Sequence, residues 1–202
     1  MKFVWTVAGD DPDFNNGDKH GIDGYFYPAF DSVTTVGQLK VTAERGYKVG
    51  LYVGAGWWNG LSPAQYAQKI AAYYLSMREK TGIGDLRLML NLEEHDPARI
   101  IAILEAVRAK LPKVGLSWSP EGMQGGWMDP AFVARVVSAR VRVVPQAFIG
   151  DMTRRDESLV LRDLIKAGFP ESSVSLFYDA AQLPPLRDWS GYAFTEGRLP
   201  RI

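Results

Sequence analysis

The chain contains no cysteine. That excludes disulfides, thiolate metal sites and a cysteine nucleophile, and it leaves the redox compartment open. It also lacks net charge: 23 Lys and Arg balance 23 Asp and Glu over 202 residues, so neither nucleic acid nor an anionic membrane surface is an expected partner. No apolar run approaches the roughly 18 residues that a membrane span requires. The opening run FVWTVAG (3–9) is too short for the apolar core of a secretory signal and reads as a first strand. These absences predict a soluble chain without signal peptide or transmembrane segment.

Histidine is nearly absent as well. His20 and His95 are the two in the chain, and neither belongs to an HxH or HxxE pair, so a metal-dependent hydrolase is a minor reading and no cofactor is expected. No GxSxG elbow, no phosphate-binding P-loop and no GxGxxG after the first strand occurs. The loop GDDPDFNNGDKHG (9–21) spaces Asp11, Asp13 and Asn15 like the first three ligands of a calcium loop. Asn16 stands where that loop needs glycine, and Ile22 where it needs a bidentate glutamate. A polar active-site loop or a solvated turn is the expectation there.

What is present is core material and aromatic rings. Hydrophobic residues make up 47% of the chain, with six Trp, nine Tyr and nine Phe; Trp57, Trp58 and Trp127 sit beside glycines, where core packing is a weak explanation. Short β-rich runs at 3–9, 21–28, 48–56, 86–94, 113–120, 141–148, 173–180 and 191–197 alternate with amphipathic stretches at 33–46, 62–80, 96–111, 129–139 and 155–168. Ser62-Pro63, Asp96-Pro97 and Asp129-Pro130 each put a capping side chain before a proline at the first helical position. Strand–helix alternation implies parallel pairing. The prediction is one domain over 1–202, a compact (β/α)8 TIM barrel with some helices short or missing; an open doubly wound sheet is the competing architecture.

Side chains alternate across a strand, so polar residues of the barrel-facing set, near the carboxyl ends, are the candidate site residues. In LRLMLNLEE (86–94) the leucines 86, 88, 90 and 92 form the helix-facing comb. Arg87, Met89, Asn91 and Glu93 then face the axis, while Glu94 falls to the rim. The same procedure turns Asp23, Tyr25 and Tyr27 inward on the second strand and Tyr52 on the third. Ser117, Ser119, Trp118 and Glu121 join from the fifth, and Gln146 from the sixth. Asp10, Asp179 (with Tyr178 beside it) and Glu196 end the first, seventh and eighth. Aromatic rings, carboxylates and amides around one mouth suit sugars, whose C–H faces stack on rings and whose hydroxyls need polar partners.

The stretch LNLEEH (90–95) resembles the strand-4 signature of lysozyme-type TIM-barrel glycoside hydrolases, in which an Asp-x-Glu carries the acid; Asn91 and Glu93 occupy those two positions. The resemblance covers a few residues and implies a polysaccharide hydrolase, acting on peptidoglycan or another surface glycan, of a kind found in phage lysins and tail components. Glu93 would be the general acid and Asp179, Asp10 or Glu196, in that order, the base or nucleophile. Asp23, Tyr27, Tyr52, Trp57, Trp58, Asn91, Trp118, Glu121, Gln146 and Tyr178 would contact the substrate. Asn91 stands where the family has aspartate. The alternative reading is therefore a non-catalytic carbohydrate-binding or structural barrel, such as part of a phage particle or cell-surface assembly.

Overall fold

A computed structural model describes residues 2–6, 12, 14–30, 34–54, 60–92, 94, 96–120, 129–145, 157–179 and 192–196, with backbone alone for residues 2, 16, 20, 157–161, 176–179 and 192–196. The elements run β1 (Lys2–Trp5), α1 (Phe14–His20), β2 (Gly24–Pro28), α2 (Val36–Glu44), β3 (Lys48–Val53), α3 (Pro63–Thr81) and β4 (Arg87–Leu90). There follow α4 (Pro97–Lys110), β5 (Gly115–Trp118), α5 (Pro130–Ser138), β6 (Arg142–Val143), α6 (Glu157–Lys166), β7 (Ser175–Asp179) and β8 (Tyr192–Glu196). The helix starts form as their sequences dictate. Ser62, Asp96 and Asp129 accept hydrogen bonds from the first turns of α3, α4 and α5, each with proline just inside. Thr35 and Gln38 add a reciprocal capping box at α2.

The eight strands form one sheet in the order β6-β5-β4-β3-β2-β1-β8-β7. From β6 to β1 all neighbours pair in parallel, giving a six-stranded half-barrel with helices between its strands. The eightfold parallel barrel expected from the sequence is corrected at one strand: β8 runs antiparallel to both β1 and β7. A parallel return needs a crossover, usually a helix, whereas an antiparallel neighbour does not. The connecting sequence 180–191 carries Pro184-Pro185, which disfavours such a helix. A single isolated parallel bridge, Val143 to Val174, links β6 to the residue before β7.

A second departure is α1, which forms where the sequence predicts a loop. FNNGDKH has poor helix propensity, so tertiary contacts hold it. The Phe14 ring packs edge-on to Tyr25 and flat on Tyr47. Tyr47 also donates its hydroxyl to the Asp18 carboxylate, and the Arg45 guanidinium covers the Phe14 ring.

The sheet separates two apolar regions. Between sheet and helices lies the larger, built from Val4, Tyr25, Tyr27, Val49, Leu51, Val53, Leu88, Leu90, Leu92, Leu116, Trp118 and Val143 against the helix faces. On the inner face Phe3, Phe26, Met89 and Val144 pack together, with Trp5 and Tyr52 against them. Two inward glycines make this narrow face possible. A Cβ on Gly50 would lie 2.6 Å from Phe26 Cζ, and one on Gly24 would lie 2.8 Å from Phe3 Cε1. Each glycine thus leaves room for the ring of the neighbouring strand.

Candidate active site

The leucine comb of β4 lies as its alternation requires. Leu86, Leu88, Leu90 and Leu92 belong to the helix-side core, and Met89 to the inner face. Arg87 holds its guanidinium 4.9 Å from the centre of the inner Phe3 ring. Asn91 continues the inner set at the carboxyl end, 8% exposed, with its backbone N–H bonded to Val53 O at 2.9 Å. Glu93 and His95 lie outside the described residues. Glu94 is held on the helix side. Its carboxylate pairs with Arg99 Nε at 2.8 Å and accepts the Asp96 N–H at 3.3 Å, and Arg99 in turn donates to Leu61 O. The surroundings of Glu94 are therefore structural, an ion pair and a backbone bond at the start of α4.

Around Asn91 the carboxyl ends of β1, β3 and β5 contribute further polar and aromatic groups. Trp5 and Tyr52 stack face to face, centroids 4.2 Å apart and planes 2° from parallel; Tyr52 donates its hydroxyl to Thr6 O at 3.3 Å. Thr6 is tied down by two bonds to Phe26 O, from its N–H at 2.8 Å and its hydroxyl at 3.1 Å. Leu116 and Trp118 face the helices, so Ser117 and Ser119 take the opposite face of β5. Both are buried, and the Ser119 Oγ has no hydrogen-bond partner among the described residues.

Several expected site residues stand elsewhere. Tyr27 is 1% exposed and packs toward α2, where its hydroxyl bonds to Thr42 Oγ1. Because Thr42 donates to Gln38 O, Tyr27 is the donor of that pair. Trp118 is likewise 1% exposed and meets the Phe132 ring of α5 edge-on. Both rings occupy the helix-side core, where burial outweighs the pull of one polar atom on each. Tyr25, read as inward, packs there too, so the parity of β2 is inverted and Phe26 faces in. Asp23 precedes β2 at its amino end and is exposed, with its carbonyl accepting from Lys48 N. Glu196 pairs in register with Ser175, the first residue of β7; the reversal of β8 puts it at the amino end of the parallel strands. Tyr52 is on the inner face as expected. Asp179 ends β7 with Tyr178 before it, backbone alone being described. Asp10, Trp57, Trp58, Glu121 and Gln146 fall outside the described residues, as do Asp11 and Asp13 of the calcium-like loop. Asn15 of that loop lies within α1. Among the described residues no group of three or more His, Asp or Glu is placed to hold a metal, and no helix is long and apolar enough to cross a membrane.

Trp5 joins the candidate site through its stacking on Tyr52, and the sequence pattern does not single it out. Its signal was available in FVWT, where Phe3 and Trp5 share a face, but apolar residues on both faces of β1 hide the parity.

No family model matches the chain, and no curated protein does. Solved structures do. The catalytic domain of a hyperthermophilic chitinase from Pyrococcus furiosus superposes with a TM-score of 0.58 at 14% identity, over 86% of this chain and 70% of that one. Catalytic-site mutants of active domain 2 of a chitinase from the same organism give 0.57 at 15% identity, over the same shares. The complex of such mutants with chito-oligosaccharides gives 0.56 at 14%, again over 86% and 70%. At these identities the likeness establishes architecture: the chain has the fold of chitinase catalytic domains.

Proposed function

We propose that the chain is a glycoside hydrolase that cleaves a polysaccharide at the carboxyl end of the parallel strands, with Glu93 as the general acid. The observation that carries this reading is the register of β4, in which Met89 and Asn91 follow one another on the inner face; continued by two residues, the same alternation directs Glu93 to that mouth. The Trp5–Tyr52 pair supports it as a sugar-stacking surface. The fold shared with chitinase catalytic domains supports a glycan as substrate and makes N-acetylglucosamine oligomers the first candidate, ahead of peptidoglycan.

In this mechanism Glu93 gives its proton to the glycosidic oxygen as the bond to the anomeric carbon breaks. A second carboxylate either attacks that carbon or activates water; their separation, about 5 Å or about 6.5–9.5 Å, decides between retention and inversion. Asp179 is the first choice for this partner and Asp10 the second. Asp179 lies an even number of residues after Ser175, whose hydroxyl accepts from Arg142 at 3.3 Å. Asn91 and Gln146 would orient the sugar, and Trp57, Trp58 and Glu121 would extend the cleft.

A second reading is favoured by one observation, the amide of Asn91 where the resembling glycosidases carry an acid. On that reading the mouth binds glycan without cutting it, as a module of a larger particle or surface assembly.

Hydrolysis of N-acetylglucosamine oligomers and of peptidoglycan fragments, followed by reducing-end release, separates the two. The proposed hydrolase loses roughly 10²–10⁴-fold in rate on Glu93→Gln while still binding the oligomer. Turnover retained by the variant removes Glu93 as the acid. Saturable binding with no turnover by the native chain selects the binding module.

A further inference from the structure

At the amino end of the sheet, opposite the proposed catalytic mouth, the starts of β4, β5 and β6 and the turn Glu171–Ser173 line an open groove of about 750 Å³. This is within the roughly 300–1,000 Å³ of small-molecule sites. Its charged lining is one-sided: Arg87, Arg108, Lys113, Arg140 and Arg142 stand against Asp85 alone. The Asp85 carboxylate is 73% exposed and lies 3.9 Å from Lys48 Nζ, so it already has a cation outside this group. Glu171, between the lining residues Pro170 and Ser172, is exposed.

The cations are positioned rather than merely clustered. Arg108 donates to the carbonyls of Ala139, Val114 and Arg140 at 2.7–2.8 Å and to those of Leu111 and Pro112 at 3.2–3.3 Å, which ties the end of α4 to the rim, spends its donors there and leaves it as a fixed positive charge. Burial lowers its pKa, the mark of a cation held in a poorly solvated wall. Arg142 is anchored by its bond to Ser175 Oγ, and Arg87 by the Phe3 ring. Fixed positive charge from Arg108, flanked by the exposed Lys113 and Arg140, suits a doubly charged oxyanion, which accepts several charge-assisted hydrogen bonds at once. A neutral sugar would gain less from them, since it brings no opposite charge.

We infer that this groove is a second ligand site, independent of the proposed glycosidase site, and that it takes a phosphoryl group carried on a small organic molecule. Inorganic phosphate alone would leave most of the volume empty, and the apolar walls of Val114, Leu116, Val137 and Val141 are available to the organic part.

Calorimetric titration of the full chain at low ionic strength tests this with glucose 6-phosphate, inorganic phosphate and glucose as probes. Lys113 and Arg140 are exposed, and Arg140 has a backbone φ of +52° that asparagine tolerates. Lys113→Gln and Arg140→Asn therefore remove charge with the fold kept, which circular dichroism verifies. The expected result is saturable binding of the phosphate ester, weakened about tenfold or more by the double substitution and weakened again in high salt, with no heat from glucose. Inorganic phosphate binding as tightly as the ester assigns the site to the free ion and overturns the organic ligand. No saturable binding of either at roughly 10 mM, or binding indifferent to both substitutions, overturns the site itself.

Discussion

Tyr27 and Trp118 show what a polar atom on a ring decides. Each carries one donor, and each is buried on the helix side, where the Tyr27 hydroxyl is satisfied by Thr42. Tyr27→Phe should destabilise the fold by about 1 kcal/mol, the worth of one buried hydrogen bond, and leave glycan binding unchanged; urea unfolding and a binding titration read both. Lost affinity at full stability would put Tyr27 back at the mouth. The outer comb of β4 was legible in the sequence because four leucines at alternate positions admit one register. The parity of β2 was not: GYFYP offers aromatic residues on both faces, and a tyrosine hydroxyl can find its partner on either. Alternation in the sequence put Glu94 on the rim, but its bond to Arg99 depends on how α4 follows the strand.

At the scale of elements, the close approach of β2 and β3 rests on Gly50, which gives up its side-chain volume to the Phe26 ring. Gly50→Ala should cost about 1–3 kcal/mol through this overlap. Gly115→Ala is the control, because the nearest atom to its added Cβ is Arg87 Cγ at 3.6 Å, an ordinary contact; its effect should stay within about 1 kcal/mol. Equal melting points for the two variants would show that the inner face is looser than this packing describes. The helices α3, α4 and α5 were readable from their Ser-Pro and Asp-Pro starts, since capping chemistry is local. The direction of β8 was not, because a strand's alternation is identical whichever way it runs. The missing helix pattern and the Pro184-Pro185 pair between the seventh and eighth runs were the available signal. That reversal puts Glu196 at the other end of the sheet and keeps Asp179 and Asp10 as the partners proposed for Glu93.

For the molecule as a whole, buried phenols couple folding to alkaline pH. Partial burial, reinforced by the Asp18 carboxylate that accepts its hydrogen bond, pushes the Tyr47 phenol up to about 12; burial also raises Tyr66 and Tyr74. In the unfolded chain these groups ionise near pH 10. Their contribution to stability is therefore complete below about pH 10 and falls as pH rises from there through 12. Urea midpoints across that interval should decline, and Tyr47→Phe should decline less steeply; a native profile no steeper than the variant's contradicts this assignment. The central claim, that the carboxyl end of the parallel strands is where a glycan binds, has a more direct test in the indole ¹⁵N–¹H signals during titration with an N-acetylglucosamine oligomer. Trp5, on the inner face beside Tyr52, should shift progressively to saturation, while Trp118, facing α5, should stay in place. A bound oligomer that moves Trp118 and leaves Trp5 unmoved would contradict the account.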